Sequence, residues 1–564
     1  MNPLKPHQIL RQNQASRLYP GEANRIVVEE PKPISQSFEW RIASRYWKKH
    51  GVGPFSDGSV PYIINNSGWA PRAAAELILA SGQAQKGQII VIEIAAGSGI
   101  FARQALDHIK AQCEDKTLDV YDRLLWICTD GSEESVQSWQ SRGQFLDHQN
   151  HIRLAKANAE ELDQLELPDG SVIGVIANYA LDSLPAEVVR KDGGRMHLQA
   201  CVYGEEFELE QWVGIPLSEI RHRIEHGAPE DLDDLLPLLD CLEMQASFLP
   251  GDIPYAQEAL ESAQSDVAMV NVGTIRFLEH TLSFLTEGGF ILINDYGPTT
   301  QQAFDLHTFI HRFGGTVTCA LNFPHLRHWL EARGCRVIQP KGDEHRTIHT
   351  RLAILGGSKT LEQAFDTWFN DPSYVNADRV GAWINSYVAS GQLSEALDMF
   401  ERHLKWCPTD WHKLCEAAQL LMQQFGQMPE ALELAKRACE LNPWSSTLVW
   451  NVYGSVLYSM GMFEDAEQAW SKAIQIFPRD PSTWLNLAYL YSAQRQTEHA
   501  LNAIAKGLTY DQNGALRAAL LQKQTEILSD QFQFKTAQAD RLTRRHRTLT
   551  DAIRPPSPLN ETSD

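Results

Sequence analysis

Residues Ile89 to Phe101 read Ile-Ile-Val-Ile-Glu-Ile-Ala-Ala-Gly-Ser-Gly-Ile-Phe, an apolar run broken by one acid and followed by a small-residue turn. A continuous apolar run is the mark of a strand buried on both faces, as in a parallel sheet covered by crossover helices. The small residues Ala95, Gly97 and Gly99 let the backbone approach a bound molecule closely. Glu93 falls where the carboxyl end of such a strand meets the crevice of an open α/β sheet. The segment therefore predicts a nucleotide-like ligand site, against the plainer reading of a generic tight turn.

A dinucleotide fingerprint needs G-x-G-x-x-G. Here those places hold Ala95, Gly97 and Ile100, so only one is met. The string instead resembles the E-x-G-x-G-x-G motif of class I S-adenosylmethionine-dependent methyltransferases, altered to E-x-A-x-G-x-G by Ala95. That resemblance implies a doubly wound Rossmann-like sheet and S-adenosyl-L-methionine as cofactor. A carboxylate suits a ligand that brings an ammonium and a sulfonium but no pyrophosphate.

Two later segments agree with it. Leu124 to Asp130 is a second apolar strand ending in an acid, whose carboxylate suits either two ribose hydroxyls or the cap of a following helix. Lys156-Ala-Asn-Ala-Glu-Glu-Leu, followed by Leu167-Pro-Asp-Gly and the strand ending at Asn178, resembles the string that reads the adenine edge, with Asn158 in place of the usual Asp. By this resemblance the cofactor residues are Glu93, Ala95, Gly97, Gly99, Asp130, Asn158 and Ala159.

Asn178-Tyr-Ala-Leu-Asp-Ser-Leu-Pro185, Ile293-Asn-Asp-Tyr-Gly297 and Asn322-Phe-Pro-His-Leu326 resemble the MidA family's N-E-x-x-D-x-L-P, I-D-Y-G and D/N-F-x-x-L strings. That family includes a mitochondrial complex I assembly factor that methylates a protein arginine. The resemblance spans about Ser35 to Gly357 and brings the loop Tyr62 to Gly68 near the cofactor. It sets Asn178, Asp182, Asp295 and Tyr296 facing the reacting group. Tyr179 replaces the family's Glu, which a guanidinium substrate would pair with. Asp182 and Asp295 suit either a basic substrate or helix caps.

Further on, Gly391, Gly426 and Gly461 recur every 35 residues, as do Ala396, Ala431 and Ala466, and Pro408, Pro443 and Pro478. A repeat of this length predicts an all-α solenoid of helix pairs. The unit with Trp450, Tyr453, Gly454, Gly461, Ala466, Trp470, Ala473 and Pro478 resembles the tetratricopeptide consensus, and Arg495 falls in the next turn. Trp450 and Trp470 are expected in the repeat core. The module implies a protein or peptide partner.

The expected organisation is a flexible segment 1–35, a methyltransferase domain 36–357, a linker 358–376, repeats 377–515, and a terminal helix and tail 516–564. An insertion at 191–268 is expected as a substrate lid, opening with a hairpin of Met196–Tyr203 and Glu206–Val213 and continuing as acidic helices. A net charge of -21 disfavours nucleic acid. No apolar run reaches about 18 residues, so a membrane span is not expected. Nine cysteines without a C-x-x-C pair read as buried thiols of a cytoplasmic protein, with no metal site. The reading is a methyltransferase acting on a protein side chain; the alternative is a catalytically degenerate scaffold or assembly factor built on the same fold.

Overall fold

The computed structural model describes residues 25–50, 68–240, 242–263, 265–300, 309–313, 316–511 and 514–552. Most of the loop Tyr62–Gly68, Cys241 and the last residues of the tail lie outside them. Strands run in chain order as β1 Arg25–Pro33, β2 Ile89–Ile94, β3 Leu124–Asp130, β4 Ile152–Lys156, β5 Val172–Asn178, β6 Glu187–Arg190 and β7 Gly194–Tyr203. They continue as β8 Glu243–Pro250, β9 Val267–Val270, β10 Leu285–Asp295, β11 Ile310–Phe313, β12 Thr316–Cys319, β13 Cys335–Ile338 and β14 His349–Leu355.

Seven of them form one sheet in the order β13-β14-β10-β5-β2-β3-β4. β2, β3, β4, β5 and β10 are mutually parallel, while β14 runs antiparallel to β10 and to β13 and closes the sheet with a hairpin. Every residue of β2 and of β5 is buried, which is why each reads as a nearly unbroken apolar run. The chain winds from β2 outward through β3 and β4, then crosses back to β5 beside β2. The carboxyl ends of β2 and β5 thus flank the point where strand order reverses, the place where open α/β sheets bind ligands.

The second sheet corrects two expectations. β1, β7, β6 and β9 pair in that order and β8 adds to β7, all antiparallel. Residues 25–33 are therefore a strand rather than part of a flexible segment. Residues 206–213 form a helix, not the second arm of a hairpin, and β7 pairs instead with β1, β6 and β8. Polar and apolar residues alternate here only from Glu206 to Glu210. A helical turn fits because the Glu205 amide donates to Glu208 at 3.1 Å, Gly214 closes the helix in a left-handed conformation, and Leu209 is buried. With the helices Phe38–His50 and Leu217–His226, the insertion builds a core around Val28, Phe38, Val202, Ile220 and Leu235.

The expected linker is also structured. Lys359–Phe369 is an amphipathic helix whose Leu361, Phe365 and Phe369 enter the core beneath the seven-stranded sheet. Trp69 donates its indole N–H to the Trp368 carbonyl at 3.1 Å.

By compactness the chain divides into two units, Met1–Ala417 with Glu440–Ser445, and Ala418–Cys439 with Ser446–Asp564. Helix pairs follow the expected repeat: Pro372–Ala389 with Leu393–Trp406, Trp411–Leu420 with Met428–Leu441, Thr447–Ser459 with Phe463–Ile476, and Pro481–Ala493 with Thr497–Tyr510. The periodic alanines are buried, and Gly391, Gly426, Gly461 and Arg495 each adopt positive φ in the turn within a pair. Gly454 has no side chain because a Cβ there would meet Trp470 Nε1 at 2.5 Å. Trp470 is buried, as a core role requires, while Trp450 is only half-buried against the same cluster. The chain then continues as one long helix, Arg517–Ala552. Among the described residues no helix is long and apolar enough to cross a membrane, and the eight described cysteines are buried.

Candidate active site

The residues singled out from the sequence gather at the carboxyl ends of five adjacent strands. Glu93 is the penultimate residue of β2, Asp130 ends β3, Asn158 and Ala159 follow β4, Asn178 ends β5, and Asp295 ends β10 with Tyr296 next.

The turn after β2 takes left-handed backbone at Ala95 (φ 51°), Gly97 (55°) and Gly99 (69°). Ala95 stands where the motif has glycine and bears the strain of an L-residue there, about 1 to 2 kcal/mol. At Gly99 the requirement comes from the protein itself. A Cβ there would lie 2.9 Å from Gln144 Nε2 and 3.0 Å from Trp139 Nε1. Those side chains hold the turn, Trp139 donating to the Gly97 carbonyl at 3.0 Å and Gln144 to the Ser98 carbonyl at 2.9 Å. Neither residue belongs to a motif string, so the sequence pattern carries no sign of them.

Glu93 is buried, and its Oε2 lacks a hydrogen-bond partner. Trp126 faces it, though the indole Nε1 makes no hydrogen bond of acceptable geometry. Desolvation pushes the carboxyl up to about 8, with the neighbouring Asp130 adding to the rise. An orphaned acid in a low-dielectric crevice is costly unless a cation meets it. The ammonium and sulfonium of S-adenosyl-L-methionine supply that charge, so the residues present fit this cofactor.

Asp130 accepts hydrogen bonds from Gly97 N at 3.0 Å and from Ser132 N at 2.8 Å. Desolvation still raises it to about 6, against the lowering by these two amides. Ser132, not Asp130, is the N-cap of the helix Glu133–Ser141. The Ser135 side chain also hydrogen-bonds this carboxylate, which leaves it room for one further donor. Asn158 is exposed and its Oδ1 accepts from Glu160 N at 3.2 Å, while Ala159 is buried.

On the other side of the reversal point, Thr350 Oγ1 donates to Asn294 Oδ1 at 2.7 Å and Asn294 Nδ2 donates to Asn178 Oδ1 at 2.8 Å. This chain fixes the orientation of the Asn178 amide and leaves its buried Nδ2 without a partner. Tyr179 follows with φ 51°, its N–H donating to the Asn294 carbonyl at 2.9 Å. Its ring lies 5.6 Å from that of Tyr296.

Asp295 Oδ2 accepts from Leu181 N at 3.0 Å and Asp182 N at 3.2 Å, and Oδ1 from Tyr296 N at 2.9 Å. It therefore caps the short helical turn Leu181–Ser183 after the neighbouring strand, not a helix after its own. Asp182 accepts from Ser183 Oγ at 3.2 Å. Both acids are buried, and desolvation raises Asp182 to about 6 and Asp295 well above the carboxylate range, the second helped by the negative charge of the first.

Comparison with known proteins agrees with this architecture. Residues 72–338 match a family described as "Putative S-adenosyl-L-methionine-dependent methyltransferase", and residues 481–513 match a tetratricopeptide repeat. Similar solved structures include an uncharacterized protein from Burkholderia thailandensis, at 15% identity over 63% of this chain and 94% of that one, TM-score 0.36. Another is a thermophilic tetratricopeptide protein from Thermus thermophilus, at 21% identity over 29% of this chain and 89% of that one, TM-score 0.24. No curated protein matches the chain. Residues 72–338 are thus similar to this methyltransferase family, and residues 481–513 to a tetratricopeptide repeat.

Proposed function

We propose that the chain is an active S-adenosyl-L-methionine-dependent methyltransferase whose acceptor is a basic side chain of a protein partner recruited by the repeats. The observation that carries this reading is the buried carboxylate of Glu93, whose Oε2 makes no hydrogen bond, at the strand-order reversal, one turn from the left-handed Ala95, Gly97 and Gly99.

When bound, S-adenosyl-L-methionine supplies a methyl carbon already activated by its sulfonium. The chain's work is then to position and to exclude water. Glu93 meets the cationic end, Asp130 offers its remaining lone pair to a ribose hydroxyl, and Asn158 with Ala159 borders the base. Asn178, oriented through Asn294 and Thr350, presents Nδ2 to the acceptor. The Tyr179 and Tyr296 rings give a cationic acceptor two aromatic faces, and the Asp182–Asp295 pair takes up its proton. With Tyr179 in place of an acid, an amine fits this arrangement better than a guanidinium, which favours a paired carboxylate.

Calorimetric titration with S-adenosyl-L-methionine tests the cofactor reading: micromolar binding is expected, lost in Gly97→Val. No heat at millimolar cofactor would overturn it. A second reading, a methyltransferase-fold scaffold without activity, draws on Asp295, whose two oxygens are taken by three backbone amides. Cofactor binding without methyl transfer to any partner caught by the repeats would favour that reading.

A further inference from the structure

Two loops of the repeat region meet the support of the cofactor turn, at equivalent repeat positions. Thr409 follows Pro408 and Trp444 follows Pro443, each one residue after a proline of the 35-residue period. Both loops, with the segments they touch, belong to the first compact unit. The Thr409 carbonyl accepts from Gln104 Nε2 at 3.2 Å. The Trp444 ring stacks under the Arg103 guanidinium at 4.9 Å, and the Trp444 carbonyl accepts from Arg142 at 2.8 Å. Gln104 and Arg103 are consecutive residues of the helix that opens directly from Gly99.

The contacts continue to the turn. Arg103 donates to the Gln144 carbonyl at 2.9 Å and to Asp147 at 2.8 Å, and Gln144 in turn donates to the Ser98 carbonyl at 2.9 Å. Arg103 and Gln144 are both buried. The guanidinium is covered on one face by the Trp444 indole and also donates to Asp107 at 3.0 Å, so its planar fork is held in one geometry. Trp444 therefore lies two side chains away from the backbone expected to cradle the cofactor.

We propose that Trp444 is a positioning residue of the cofactor site: the second repeat loop fixes Arg103, Arg103 fixes Gln144, and Gln144 fixes the carbonyl of Ser98. The repeats thus complete the methyltransferase rather than merely follow it. Cofactor binding and seating of the loop strengthen each other, because a coupling between two sites is reciprocal. Only the affinity arm of the test rests on the cofactor reading above.

The experiment uses the full chain with Trp444→Ala and Trp444→Phe. Amide hydrogen exchange over Gly97 to Phe101, without cofactor, is expected to speed up at least several-fold in Trp444→Ala and to return toward the parent rate in Trp444→Phe. S-adenosyl-L-methionine affinity should fall by roughly 3- to 30-fold in Trp444→Ala, the range set by losing a desolvated cation–π contact. Unchanged exchange over Gly97 to Phe101 in a folded Trp444→Ala chain overturns the proposal. If the parent chain itself binds no S-adenosyl-L-methionine, the cofactor reading fails while the exchange arm still decides this one. Should Trp444→Ala not fold, Trp444→Leu, which fills the space without an aromatic face for Arg103, takes its place, with unchanged exchange again overturning the proposal.

Discussion

Trp139 donates its indole N–H to the carbonyl oxygen of Gly97 at 3.0 Å, so the turn expected to hold the cofactor is shaped from behind by a buried aromatic. The small residue at Gly99 then serves the protein's own packing, since Trp139 and Gln144 occupy the space a Cβ would need.

Gly99→Ala should therefore destabilise the chain even without ligand. Left-handed backbone costs an alanine about 1 to 2 kcal/mol, and the contacts at 2.9 and 3.0 Å add to that. Trp139→Phe keeps one six-membered ring but loses the pyrrole, removing the hydrogen bond, at about 1 kcal/mol, and leaving a cavity that adds to it. Denaturant unfolding measures both. A Gly99→Ala chain as stable as the parent would show that the turn is not held as described.

The seven-stranded sheet was legible because its buried strands read as apolar runs and the candidate site residues cluster where those runs end. The helix Lys359–Phe369 carried its own signal, a Ser358 cap with Leu361, Phe365 and Phe369 at helical spacing. Its position between two recognisable modules disguised it as a spacer. Glu206 to Val213 misled for a different reason. Its alternation, which runs only from Glu206 to Glu210, fits a strand, yet only Leu209 is buried while Phe207 stays exposed, and local capping decides for helix. Trp139, Gln144 and Trp444 could not be read at all, because their roles arise from contacts between segments distant in the chain.

The Glu93 carboxyl gives a pH dependence with a definite sign. Its folded value of about 8 lies above the ordinary 4.5, so the folded chain holds a proton that the unfolded chain has released across that window. Stability must then fall as pH rises from about 4.5 to 8, by at most about 1.4 kcal/mol per pH unit from this group. Asp130 and Asp182, both raised to about 6, add to the fall below that pH. Glu93→Gln should flatten the slope between pH 6 and 8. Denaturant midpoints measured at both pH values check this, and parallel behaviour of variant and parent would refute the assignment.

A cationic ligand needs Glu93 ionised, so cofactor uptake near pH 7 should release protons. Calorimetry in buffers of different ionisation enthalpy reads that release directly. Between pH 6 and 8 the parent chain should bind S-adenosyl-L-methionine more tightly as pH rises, and Glu93→Gln should lose most of that dependence. Binding without proton release at pH 7 would mean that the carboxylate does not meet the ligand's positive charge.

The boundary between methyltransferase and repeats makes the last prediction. A chain ending at Gly357 keeps every strand of the seven-stranded sheet but loses Leu361, Phe365 and Phe369, which are 1%, 2% and 0% exposed. Burial of three such side chains stabilises by roughly 1.5 to 3 kcal/mol each, together about as much as the whole stability of an ordinary domain, roughly 5 to 15 kcal/mol. Trp69 would also lose the Trp368 carbonyl and the facing ring at 5.7 Å. The shortened chain should therefore lack cooperative thermal unfolding, whereas Phe365→Ala in the full chain should lower stability by about 3 to 5 kcal/mol and still unfold cooperatively. A cooperative transition near the parent temperature in the chain ending at Gly357 would show that the helix after the sheet is a spacer.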